Sequence, residues 1–306
     1  MIYTCTLNPA IDYRLEVDHF QLEALNRANF NKYSAGGKGI NVSIMLNHLK
    51  VDNIALGFMG GFTGTYLKDY LTHEHKITVD FTKIEDNTRI NVKLHTDQKD
   101  TEINALAPKV TEEEVNNLLK QIKTLSSSDI LVIAGSSVKY KENLYKKIID
   151  ICSSQSIQFV IDAERSLLLE SLAYKPLLIK PNLYELESLF EKELKTEEAI
   201  IEAGKRLIQK GAQNIIVSLG KDGSIFMNRD VIYQAQPIQG NVLNTVGAGD
   251  SMVGGFIAGV HAGKSLKDAY KQAVACGTAT AFSYNLGTKQ EIEDNLKKVK
   301  IEEVEK

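Results

Sequence analysis

Short β-branched apolar runs alternate with amphipathic stretches along almost the whole chain, and that alternation limits the fold more than any single motif does. Residues 2–7 (IYTCTL), 54–58 (IALGF), 130–134 (ILVIA) and 159–163 (FVIDA) are such runs, and 177–181 (LLIKP), 214–220 (NIIVSLG) and 224–228 (SIFMN) continue the series. Between and after them the spacing predicts helices over about 38–49, 65–73, 248–262 and 265–283. Strands that are apolar throughout belong to a sheet covered on both faces. The expected fold class is therefore α/β, a doubly wound and mostly parallel sheet. A chain of 306 residues with 43% hydrophobic residues can bury the core of one such domain, 1–306, and shows no internal repeat or low-complexity linker.

Two segments, about 11–34 and 80–107, contain alternating strands where a doubly wound sheet calls for helices. In residues 89–94 (RINVKL) the apolar side chains fall on one face and Arg89, Asn91 and Lys93 on the other. Together the two insertions read as a small half-exposed sheet, either a lid over a site or a surface that pairs with its copy in a homodimer.

A formal net charge of -3 and a pI near 6.1 leave no basic face, so nucleic acid and anionic membrane are poor partners. The opening MIYTCTLNP lacks a basic start followed by an apolar stretch, and no run is long enough to cross a bilayer, which implies a cytoplasmic protein. Cys5, Cys152 and Cys276 are far apart and without a CxxC, as reduced core thiols are.

The sharpest chemical signal is residues 244–250 (NTVGAGD), a glycine-rich turn opening a helix. The N–H groups of Gly247, Ala248 and Gly249 suit an anion there. The next glycine after Gly249 is Gly254, which breaks the Rossmann spacing, and no GK[ST] follows, which excludes a Walker A loop. Asp250 is out of place in a phosphate cradle unless it has a task such as taking a proton from an attacking hydroxyl; the bland alternative is a helix cap. In residues 35–41 (AGGKGIN), Lys38 starts a helix, against the helix dipole. It meets either a bound anion or polar sugar, or only solvent. Arg89 with Lys93 could hold a sugar phosphate or line a solvated strand face. Lys180 and Asn182 end a strand at the edge where ligands gather in such sheets, and Glu185, one turn into the next helix, could hold waters on Mg²⁺. Residues 217–224 (VSLGKDGS) either accommodate a nucleotide or close a hairpin.

In this order and combination, AGGKGIN, KPN with Glu185, VSLGKDG and NTVGAGD resemble the phosphofructokinase-B group of ribokinase-like sugar kinases over essentially the whole chain. Segments 6–12, 88–94 and 101–104 are most similar to the members acting on fructose 1-phosphate, with those acting on tagatose 6-phosphate next. The resemblance implies ATP-dependent phosphorylation of a phosphosugar, fructose 1-phosphate to fructose 1,6-bisphosphate, with Mg²⁺. It implies Asp250 as base and Gly247, Ala248 and Gly249 as anion hole. Asp12, Gly37, Lys38 and Asn41 would lie against the sugar, with Arg89 near its phosphate. Lys180, Asn182 and Glu185 match the region serving phosphates and magnesium, Ser218, Leu219, Gly220, Lys221, Asp222 and Gly223 an ATP-contacting loop, and Thr278 a helix beside the adenine. The chain departs at 135–139 (GSSVK), where relatives commonly have a proline-containing loop, and at 105–107 (ALA), which puts the sugar rather than the catalysis in question. A sensor that keeps the fold without turnover is the alternative of another class, and the intact Asp250 argues against it.

Overall fold

The computed structural model describes residues 1–163 and 165–304. Its main sheet runs Ile301–Glu303, Ile232–Ala235, Ser224–Asn228, Asn214–Ser218, Leu178–Ile179, Gln158–Asp162, Ile130–Ala134, Ile2–Thr6, Asn53–Gly60, Thr78–Val79, with Thr82–Ile84 also paired to Asn53–Gly60. Pairing is parallel from Asn214–Ser218 onward and antiparallel only at the other end, where the chain turns back through Ser224–Asn228.

The apolar strands sort by parity, as a period of two requires. Ile130, Val132 and Ala134 pack into one layer with Met45, Phe256 and Ala273, from helices on the first face. Leu131 and Ile133 pack into the opposite layer with Leu118, Ile148 and Cys152. Both faces are thus covered. The three cysteines are buried and unbridged, and burial lifts the Cys5 thiol to about 12, out of reach of thiolate chemistry at neutral pH.

Because all the parallel strands point the same way, their C-terminal ends share one edge. There the chain leaves the sheet at Thr6, Ala134, Asp162, Ile179 and Ser218. Leu178–Ile179 is short because Lys180 and Pro181 follow, and proline has no N–H for the ladder. The helix Leu183–Phe190 that follows begins in a capping box between Asn182 and Glu185.

A second, four-stranded sheet stands over this edge. Ala10–Val17 pairs antiparallel with Phe30–Gly36 and parallel with Arg89–Thr96, which pairs antiparallel with Thr101–Ile103. The second inserted segment enters this sheet at Arg89, later than the expected residue 80. Residues Thr82–Ile84 instead extend the main sheet, since Phe58 to Gly60 offers them a free edge. The small sheet is tied to the body by stacked Tyr13 and Tyr33, 4.3 Å apart, and onward to Tyr66 of the helix Gly61–His73.

Candidate active site

The helix Ala248–His261 starts at Gly247, whose φ of 79° lies in the left-handed region that a side chain would disfavour. No side chain caps this helix, so its first N–H groups lack intrahelical acceptors. The Ala248 N–H is taken by the Thr245 carbonyl at 3.2 Å, which removes it from the expected trio of donors and leaves Gly247 and Gly249. A β-carbon on Gly249 would lie 2.7 Å from Lys180 Nζ, so the buried Lys180 ammonium packs directly on the turn.

Asp250 sits in the first helical turn, 7% exposed, and is not a cap. Its Oδ2 accepts a hydrogen bond from Asn41 Nδ2 at 2.7 Å. Burial, reinforced by the nearby Asp162 carboxylate, pushes its pKa up to about 6, against the pull of Asn41, Lys38 and Lys180. The result is a carboxylate that is ionised at neutral pH yet basic enough to take a proton.

Lys38 is partly exposed but its ammonium is paired. Its Nζ lies 2.7 Å from Asp162 Oδ1. Burial works against its charge, but Asp162, with smaller contributions from Asp250 and Glu185, holds its pKa above the ordinary lysine value. Nothing in the sequence separated Asp162 from its apolar strand, and only its position at the strand end, beside the glycine of 135, could have marked it.

On the lid, register sets Asp12 opposite Asn91. Asn91 Nδ2 donates to Asp12 Oδ1 at 2.8 Å and its Oδ1 accepts from the Ala105 N–H at 3.2 Å. Asn91 is thus buried and fixes Asp12. Lys93 is spent on a cross-strand ion pair with Glu102 at 2.6 Å, so of the expected pair of cations for a phosphate, Arg89 and Lys93, Arg89 remains. Arg89 donates weakly to the carbonyls of Asn8 and Ala105, at 3.3 and 3.4 Å, and its buried Nε has no partner. Asn8 in turn donates to Ser136 Oγ and the Ser137 carbonyl, which ties the departing 135–139 loop to this corner. Asn8 Oδ1 and Thr6 Oγ1 are likewise buried without partners, so the corner holds unsatisfied polar atoms of both kinds.

Asn182 and Glu185 complete their capping box through Asn182 Oδ1 and Glu185 Oε2, each at 2.8 Å. Residues 218–223 do close a hairpin, with Leu219 N–H on the Gly223 carbonyl at 2.9 Å, and Ser218 bridges back to Asn182. Gly220, Lys221 and Asp222 form its short 3₁₀ turn. Thr278 is half-buried on the helix Leu266–Ala281, one residue after Gly277, which packs against Met252 and the Ala248 carbonyl. Gly37 precedes Lys38 with φ 127° and borders Thr6. A cleft of about 340 Å³ is lined by Asp12, Ser34, Asn41, His75, Asn244 and Val246 among others. It joins the lid to the glycine turn. No cluster of three or more metal-binding side chains occurs among the described residues.

The chain is 40% identical over 302 residues to 1-phosphofructokinase of Bacillus subtilis, covering 98% of this chain and 99% of that one. It is 35% identical to D-tagatose-1-phosphate kinase of Bacillus licheniformis over 303 residues, 98% and 99% of the two chains. The tetrameric inhibited form of phosphofructokinase-2 from Escherichia coli superposes with a TM-score of 0.90 at 28% identity, over 97% and 98% of the two chains. Residues 5–293 match the pfkB family carbohydrate kinase pattern, and the chain belongs to that family.

Proposed function

We propose that the protein transfers the γ-phosphoryl group of ATP to the 6-hydroxyl of fructose 1-phosphate, giving fructose 1,6-bisphosphate and ADP. The observation that carries this reading is the buried Asp250, held by Asn41 at an uncapped, glycine-rich helix start. The 40% identity to 1-phosphofructokinase supports fructose 1-phosphate as the acceptor. Asp250 takes the hydroxyl proton, the oxygen attacks the γ-phosphorus in line, and the bond to the β,γ-bridging oxygen breaks. The N–H groups of Gly247 and Gly249 and the Lys180 ammonium meet the developing charge. Asp12, Gly37 and Asn41 orient the sugar, and Arg89, with its free Nε, takes the phosphate at the other end. Residues 218–223 and Thr278 border the nucleotide.

Magnesium would be held mainly by nucleotide phosphates and its own waters, and Glu185, whose Oε2 accepts the Asn182 N–H, would meet it through one of those waters. When bound it neutralises charge on the phosphates. The exposed apolar side chains of the lid, Leu22, Leu25, Phe30 and Ile103 among them, support a homodimer through the lid. No helix among the described residues is long and apolar enough to cross a membrane, and a cytoplasmic location suits the substrates.

The second reading, favoured by the 35% relative, is tagatose 1-phosphate, the epimer of fructose 1-phosphate at C4. ADP release measured with fructose 1-phosphate, tagatose 1-phosphate, tagatose 6-phosphate and fructose 6-phosphate under identical Mg-ATP decides. The expected order puts fructose 1-phosphate highest in kcat/KM, by about 10²-fold over the 6-phosphates, since a phosphate anchored at the wrong distance misplaces the reacting hydroxyl. A higher value for either tagatose phosphate transfers the assignment to that sugar.

A further inference from the structure

Asp162 has no part in the mechanism above, yet it is one of the few carboxylates in the body of the protein that are almost wholly buried. It closes the strand Gln158–Asp162, and its own carbonyl accepts the Gly135 N–H at 3.0 Å, which anchors the strand end. A buried carboxylate is tolerated only when paired. Its partner is Lys38, whose place in the first turn of a helix is unfavourable for a cation. A lysine left alone there would swing on its four-carbon stem toward water. Asp162 holds it inward, with its ammonium also attracted to Asp250 and Glu185. The charged groups that face Asp250 are therefore Asp162 from the strand, Lys38 from the helix Lys38–His48 and Lys180 from the strand end, beside the neutral Asn41.

Building on the phosphosugar-kinase reading, we propose that Asp162 is a positioning residue for phosphoryl transfer: its ion pair fixes the Lys38 ammonium beside Asp250, where charge collects on the transferring group. Lys38 then acts as an internal cation that needs no rearrangement when the transition state forms. Removing the carboxylate frees the lysine and loses that preorganisation, although the lysine itself remains.

Four proteins test this: the unmodified chain, Asp162→Asn, Lys38→Met and the double variant. With Mg-ATP and fructose 1-phosphate, Lys38→Met is expected to lower kcat by about 10²-fold, the usual cost of one preorganised electrostatic contact. Asp162→Asn is expected to cost about 10-fold with KM nearly unchanged. The double variant should be no slower than Lys38→Met alone, because Asp162 acts only through the lysine. Losses that multiply overturn the proposal. A second readout needs no turnover: the carboxyl titration of Asp250, followed by ¹³C NMR in unliganded protein. Asp162 raises that titration and Lys38 lowers it, so Asp162→Asn should move it to lower pH and Lys38→Met to higher pH. Shifts in the same direction, or none, also overturn the proposal. If the sugar panel fails while the opposite NMR shifts appear, the substrate reading falls and the positioning role stands. Lys38 is partly exposed, so its variant keeps the test alive even where Asp162→Asn is poorly folded.

Discussion

Asp250 carries opposite consequences for activity and for stability. As a base it must be ionised, so kcat/KM is expected to fall as pH drops through about 6, and Asp250→Asn to lower kcat by about 10²–10⁴-fold at pH 8, a gap that narrows below pH 6 as the parent itself is protonated. Turnover of the variant within a few-fold of the parent would remove Asp250 from the mechanism. For stability the sign runs the other way. A carboxyl whose folded pKa lies above its unfolded value favours the folded state at low pH, and that contribution is lost as pH rises through about 6. Asp250→Asn should therefore be more stable than the parent at pH 8, by on the order of 2–3 kcal/mol if the whole shift is relieved. The gap should close below pH 4. Thermal melts at the two pH values check this, and a variant less stable at pH 8 would mean that burial is not what strains the residue. At this scale the sequence told unevenly. Asp250 stood out because a carboxylate in a glycine turn is chemically odd, whereas Asp162 read as the polar end of FVIDA and Asn91 as one of three equal strand residues. Their roles depend on partners 124 and 79 positions away, which periodicity does not report.

Helices and strands were legible where one local rule decided them. The helix Lys38–His48 and the strands Ile130–Ala134 and Ser224–Asn228 lie where their patterns predicted. The helix Gly61–His73 begins four residues before its expected start, because two glycines in its first turn masked the pattern. Thr82–Ile84 was hidden because a three-residue edge strand is defined by its neighbour and not by its own composition. Contact between the helices Ala248–His261 and Leu266–Ala281 was also beyond pattern reading. A β-carbon on Gly259 would stand 2.7 Å from the Ala269 Cα, and one on Gly255 2.9 Å from the Ala273 Cα, so the two helices approach backbone to backbone. Gly259→Val is expected to destabilise the protein by about 1–3 kcal/mol through overpacking. Chemical denaturation measures this. An unchanged midpoint would show that the helices can part freely, and the glycine turn at the head of the first helix would then not be rigidly held.

For the whole molecule, the lid poses a question of association. Leu25 is 78% exposed in the loop between Ala10–Val17 and Phe30–Gly36, and Ile103 57% exposed on the edge strand Thr101–Ile103 of the small sheet. Static light scattering at assay concentrations is expected to give twice the 34.0 kDa of one chain, and Ile103→Asp to shift the particle toward a monomer. A monomeric parent would refute the proposed dimer and leave the proposed sugar-binding role of the small sheet untouched. The order in which the chain supplies the site has another consequence. Asn41 and the base it holds are separated by 209 positions, and Lys38 and its carboxylate by 124. During synthesis the sugar-facing half emerges from the ribosome long before the base does. A chain that stops short of the helix Ala248–His261 lacks both Asp250 and the core layer that Phe256 and Ala273 supply, so closure of that face of the sheet and completion of the centre arrive together.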